Sequence, residues 1–171
     1  MLCWKHEGIT MIRIEVIENN NEKKRISRAV LESLPEWFGI ESAREKYIED
    51  SAEQTMIAAF DGEKEVGFIC LNETGSDTVE LHVLGVLKEY HHKGIGSKLF
   101  KKARKIASAS GYSFIQVKTV AMGKYPEYDA TNKFYLSLGF KEFEVIPELW
   151  GEENPCQIYV MHLETIKGGY K

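Results

Sequence analysis

Two clusters in this 171-residue chain hold residue types that could do chemistry. The first is Glu80 and His82, then Leu84-Gly85-Val86 and, past a charged turn, His91-His92-Lys93-Gly94-Ile95-Gly96-Ser97. The second is Asn132 and Tyr135, three apart on neighbouring faces of one predicted helix. Gly94 and Gly96 open a helix whose apolar stripe is Ile95, Leu99, Ala103, Ile106 and Ala107, with Gly111 to end it. A strand, a glycine-bearing turn and a helix head present bare N–H groups and a favourable dipole, the arrangement that cradles a phosphate. Lys93 and Lys98 flank that cradle. Glu80 and His82 share one face of the strand before it, and His82, with an ordinary pKa of about 6.5, suits proton transfer at neutral pH. An ordinary solvated strand face explains the pair equally well.

The elements that must position these residues follow from periodicity. Val79, Leu81 and Val83 alternate with Glu80 and His82, which predicts a strand over 79–87. The alternation slips at Val83-Leu84 and Gly85 follows, predicting a bulge or a close approach to the backbone there. Upstream, a strand is expected over 12–18, a helix over 22–34, an aromatic loop at Trp37-Phe38-Gly39 and a short helix over 42–50. Strands over 54–61 and 65–73 are joined through Asp61-Gly62-Glu63-Lys64 as a hairpin. Downstream come a strand over 113–120 and a helix capped by Asp129 and running through Leu138, its buried stripe Ala130, Phe134 and Leu138. Strands over 140–146 and 156–163 close the chain. The layout is α+β, with three antiparallel strands first.

One domain accommodates this length, with residues 1–10 as a loose extension. The composition, 43% hydrophobic and 28% charged, is that of a soluble globular protein. A net charge of −4 argues against a nucleic-acid partner. Cys3, Cys70 and Cys156 lack metal-ligand spacing, so no metal is expected and a reducing, cytoplasmic compartment fits. Cys156 reads as a small core residue rather than an acyl carrier. Neither a membrane span nor a secretory leader is visible.

Taken together these pieces resemble the GNAT superfamily of N-acetyltransferases over about residues 12–164. His91-His92-Lys93-Gly94-Ile95-Gly96 matches the family's Gln/Arg-x-x-Gly-x-Gly/Ala phosphate loop, with His91 where Gln or Arg is usual. Asn132-Lys133-Phe134-Tyr135 followed by Gly139-Phe140 matches a second family pattern. The resemblance implies a mixed, mostly antiparallel sheet of about seven strands, helices on both faces and a splayed parallel pair formed by 79–87 and 113–120. It implies acetyl-CoA as donor, its pantetheine arm between the splayed strands near Leu84, Gly85 and Val86. The diphosphate would lie on the amides of His92 to Ser97, and Asn132 would hold the cofactor.

For the chemistry, the resemblance makes Tyr135 the acid near the sulfur, and a core role for Tyr135 also stands. Glu80 is the first choice of base, from the family position, and His82 the second; a water chain would do the same work. The backbone N–H around Val86 is the expected oxyanion donor. The acceptor is expected to be a small-molecule amine, in a pocket drawing on Trp37, Phe38, Tyr47, Tyr125, Tyr128 and Trp150, and the acidic balance favours a cationic one. A non-catalytic acyl-CoA sensor and a protein or peptide acetyltransferase are the alternatives. Homodimers are common in the family, and nothing in this sequence specifies one.

Overall fold

The computed structural model describes residues 11–164, so the expected N-terminal extension lies outside the described residues. The chain runs β1 (Arg13–Ile17), α1 (Asn20–Leu31), α2 (Pro35–Phe38), α3 (Glu41–Ser51), β2 (Thr55–Asp61), β3 (Lys64–Gly75) and β4 (Thr78–Val86). Then follow α4 (Ile95–Ala109), β5 (Phe114–Val120), α5 (Pro126–Ser137), β6 (Lys141–Ile146) and β7 (Cys156–His162). Seven strands form one sheet in the order β1-β2-β3-β4-β5-β7-β6, and β4–β5 is its parallel pair. Val66 to Leu71 of β3 are buried without a break, as a strand must be when both faces are covered; α1 and α4 are the helices that pack on it.

Local chemistry explains the helix ends. Asn19 caps α1 by accepting the Glu22 amide at 3.0 Å. Past the end of α3, the buried Lys23 ammonium donates to the carbonyls of Ala52 and Gln54 at 3.2 and 2.9 Å. Trp37 and Phe38, expected in a loop, lie in the single turn of α2, which Pro35 opens with its preset φ. Pro126 does the same for α5, which starts three residues before the expected Asp129 cap. The Asp129 carboxylate instead accepts the Gly123 amide at 2.7 Å and ties down the loop before the helix. The buried face of α5 is Asn132 and Tyr135, while Ala130 is exposed, because the helix packs its polar and aromatic side on β5.

The bulge in β4 also falls elsewhere than expected. Cys70 pairs with Val83 and Leu71 with Leu81, so the extra residue is His82. Gly85 sits in regular pairing with Phe68. A Cβ there would lie 2.9 Å from Val30 Cγ1, so this glycine lets α1 press onto the sheet. Among the described residues no helix is long and apolar enough to cross a membrane.

Candidate active site

β4 and β5 pair only from Thr78 to Leu81 and from Phe114 to Val117. Beyond that β4 stays with β3 as far as Val86, and β5 with β7 as far as Val120, so a gap opens inside the sheet. The amide of Leu87 donates to Val66 at 2.9 Å, which sets the phase of the β3–β4 ladder. Antiparallel residues alternate between facing the partner and facing away, so Leu84 and Val86 turn their main-chain N–H and C=O into the gap. Ala121 donates to Pro155 at 2.8 Å, and by the same rule Lys118 and Val120 face the gap from β5.

Two side chains take up carbonyls freed this way. His91 Nε2 lies 2.7 Å from the Val86 oxygen, and since a carbonyl only accepts, that nitrogen carries the proton. Asn132 Nδ2 donates to Val120 O at 2.8 Å and to Tyr128 O at 2.7 Å, while its Oδ1 accepts the Tyr159 hydroxyl at 2.6 Å.

The gap runs up to the head of α4. Gly94 is the N-cap, in the left-handed region at φ 77° with open space where a side chain would be, and no side chain caps the helix. First-turn amides have no partner inside a helix, so those of Ile95, Gly96 and Ser97 are free for a ligand. His92, at φ 59°, is left-handed too, and such reversals turn N–H groups into an anion-binding concavity. Gly96 lets the Phe134 ring lie 2.9 Å from where a Cβ would stand, which locks α5 onto this turn.

Gap and helix head open into one cleft of about 780 Å³. Its roof joins α2 to α5: Trp37 Nε1 donates to Thr131 Oγ1 at 3.2 Å, and the Tyr128 hydroxyl donates to Trp37 O at 3.0 Å. The far wall is α3, where Phe38 packs on Tyr47 and Tyr47 on His82 with ring centroids 5.8 and 5.2 Å apart. Burial raises the pKa values of Tyr47 and Tyr128. Tyr135 is 6% exposed, and burial pushes its hydroxyl well above the ordinary phenol range.

The cleft brings together most of the residues singled out from sequence: His82, Leu84, Gly85, Val86, His91, His92, Gly94, Ile95, Gly96, Ser97 and Tyr135, with Trp37, Phe38, Tyr128 and Trp150. Five fall outside its lining, Lys98 among them on the exposed side of α4. Asn132 is fully buried, its side-chain amide bonded to Val120, Tyr128 and Tyr159. Glu80 is buried and ion-paired to Lys118 Nζ at 2.8 Å. Lys93 lays its ammonium over the Tyr90 ring, 5.1 Å from the centroid. Tyr125 is exposed. Sequence reasoning missed Arg44, Thr131 and Phe134, which do line the cleft; only the i, i+3, i+4 spacing of Ile40, Ala43, Arg44 and Tyr47 hinted at a lining face on α3.

The sequence profile of the acetyltransferase (GNAT) domain matches residues 51–142. No curated protein is significantly similar in sequence. Among solved structures, an aminoglycoside 6'-acetyltransferase type Ii is 26% identical with a TM-score of 0.71, over 89% of this chain and 97% of that one. An aminoglycoside 6'-N-acetyltransferase complexed with coenzyme A is 24% identical, TM-score 0.68, over 89% and 97%. A GNAT family acetyltransferase from Elizabethkingia anophelis with acetyl-CoA bound is 15% identical, TM-score 0.69, over 89% and 98%.

Proposed function

Because this chain belongs to the GNAT family of acetyltransferases, we propose that it transfers an acetyl group from acetyl-CoA to the primary amine of a small molecule, by direct attack in a ternary complex. One observation carries the reading: the opened β4–β5 gap and the uncapped head of α4 face the same cleft. An acyl-CoA is a diphosphate followed by a thin arm with two amides and a thioester. The first-turn amides of α4 suit the diphosphate. The C=O of Leu84 and the N–H of Val86 suit the arm's amides, as a further strand would. Acetyl-CoA, when bound, supplies the acetyl group already activated as a thioester.

The chain's own residues then have three tasks. An alkylammonium with an ordinary pKa near ~10 must lose a proton before it can attack, and His82, at the β4 bulge and in the cleft wall, takes that proton directly or through water. The main-chain N–H of Leu84, the gap-facing donor nearer His82, donates to the carbonyl oxygen as it gains charge. Tyr135 donates a hydrogen bond to the departing sulfur. A phenol is protonated at neutral pH in any case, and burial, by raising its pKa further, makes it a hydrogen-bond donor rather than an acid that gives its proton away. Across the step a C–N bond forms and a C–S bond breaks. The ammonium's first proton leaves through His82. The second, shed by nitrogen once it is bonded to carbon, ends on the departing sulfur to give the free thiol.

Calorimetry with acetyl-CoA, followed by thiol release with a panel of primary amines, tests this. Heat of binding at micromolar to sub-millimolar concentrations and amine-dependent thiol are expected. Heat without thiol would leave a binding module, and no heat at all would remove the reading.

A further inference from the structure

Resting on that reading of the cleft as an amine acetyltransferase site, we infer that the acceptor amine also carries a carboxylate, and that Arg44 binds it. Arg44 lies on α3 and lines the cleft, one turn before Tyr47. Its Nε is fully buried with no hydrogen-bond partner, and Nη1 reaches only the Phe38 carbonyl, at 3.3 Å. Among the described residues no carboxylate lies within ion-pairing distance of it. The other arginines differ: Arg13, Arg25 and Arg28 each pair with a glutamate at the surface, and Arg104 is exposed on α4.

The remaining formal charges of the cleft are accounted for. Lys118 is neutralised by Glu80 at 2.8 Å. Glu127 stands in the first turn of α5, where the helix dipole favours a carboxylate. A part-buried guanidinium with no ion-paired carboxylate loses solvation that one long hydrogen bond to Phe38 and the field of Glu45, itself paired to Arg28, restore only in part. Its planar fork of donors matches a carboxylate, and less well a sphere-like anion.

Location separates this cation from the diphosphate end. Arg44 reaches the carbonyl of Phe38, whose ring packs on Tyr47, as Tyr47 does on His82. His82 stands four residues before Val86, roughly 13 Å along β4, whereas the helix head lies beyond Val86. The cationic acceptor suggested by the chain's overall acidity would meet a like charge here.

The test measures kcat/KM for thiol release with matched pairs, glycine and β-alanine and longer ω-amino acids against their amides, on the native chain, Arg44→Gln and Arg44→Lys. Native enzyme should prefer the acid of a pair by about 10- to 100-fold. Arg44→Gln should bring that ratio close to one and Arg44→Lys should restore part of it, with the calorimetric affinity for acetyl-CoA held within about twofold as the folding control. Amides turned over as well as acids would overturn the carboxylate inference and leave acetyl transfer standing, as would an acid preference that survives in Arg44→Gln. Acetyl-CoA binding without thiol release from any amine would instead bring down the acceptor reading itself, and this inference with it.

Discussion

Asn132 on α5 donates its side-chain amide to the carbonyl of Val120 at 2.8 Å, and that carbonyl belongs to the stretch of β5 that β4 has left. Splaying two strands strands their backbone groups, and an orphaned buried carbonyl is costly. Asn132 meets that cost on one strand, as His91 does on the other through Val86.

Asn132→Ala should therefore act first on stability. It leaves Val120 and the buried Tyr159 hydroxyl without their partner, at about 2 kcal/mol or more, a fall in Tm of roughly 4–8 °C for a chain of this size. A thermal melt checks it. A variant that melts normally while binding acetyl-CoA weakly would mark Asn132 as a ligand-holding residue.

Gly85→Ala should cost about 1–3 kcal/mol, because the new methyl meets Val30 Cγ1 and the backbone cannot yield. Adding Val30→Ala should recover part of that loss even though it also removes core volume. Denaturant midpoints of the three variants decide the matter; an additive double variant would mean that α1 is not what Gly85 accommodates.

Tyr135→Phe should lower kcat roughly 10- to 100-fold, the value of a hydrogen bond to a charged group, while the acetyl-CoA dissociation constant moves little. Equal losses in kcat and affinity would assign Tyr135 to packing.

Alkaline pH should unfold the protein early. Burial raises the pKa values of Tyr135, Tyr128, Tyr47 and the Cys70 thiol, so the folded chain holds protons that the unfolded chain has released. Stability is then fully present below the unfolded values, about 8.5 for cysteine and about 10 for tyrosine, and declines as pH climbs above them. Denaturant titrations from pH 7 to 11 should show the decline, flattened in Tyr135→Phe by up to ~1.4 kcal/mol per pH unit. A flat profile would contradict the burial of these groups.

The order of strands and helices was legible in the residues because it rests on local periods: two for Val79 to Val83, three to four for Ile95 to Ala107, and the turn chemistry of Asp61-Gly62. The head of α4 was legible for the same reason, since a capless helix start after Gly94 is a property of consecutive residues. What each polar side chain does was decided only in three dimensions. Glu80 lost its freedom to a lysine 38 positions away, and Asn132 to a carbonyl and a hydroxyl on two other strands. Gly85 answers to a valine on α1 rather than to a bulge, and Arg44 became notable only once no carboxylate among the described residues ion-paired with it. Backbone periodicity is written in neighbours along the chain, whereas hydrogen-bond partners and counter-ions are chosen among residues that only the packed sheet brings together.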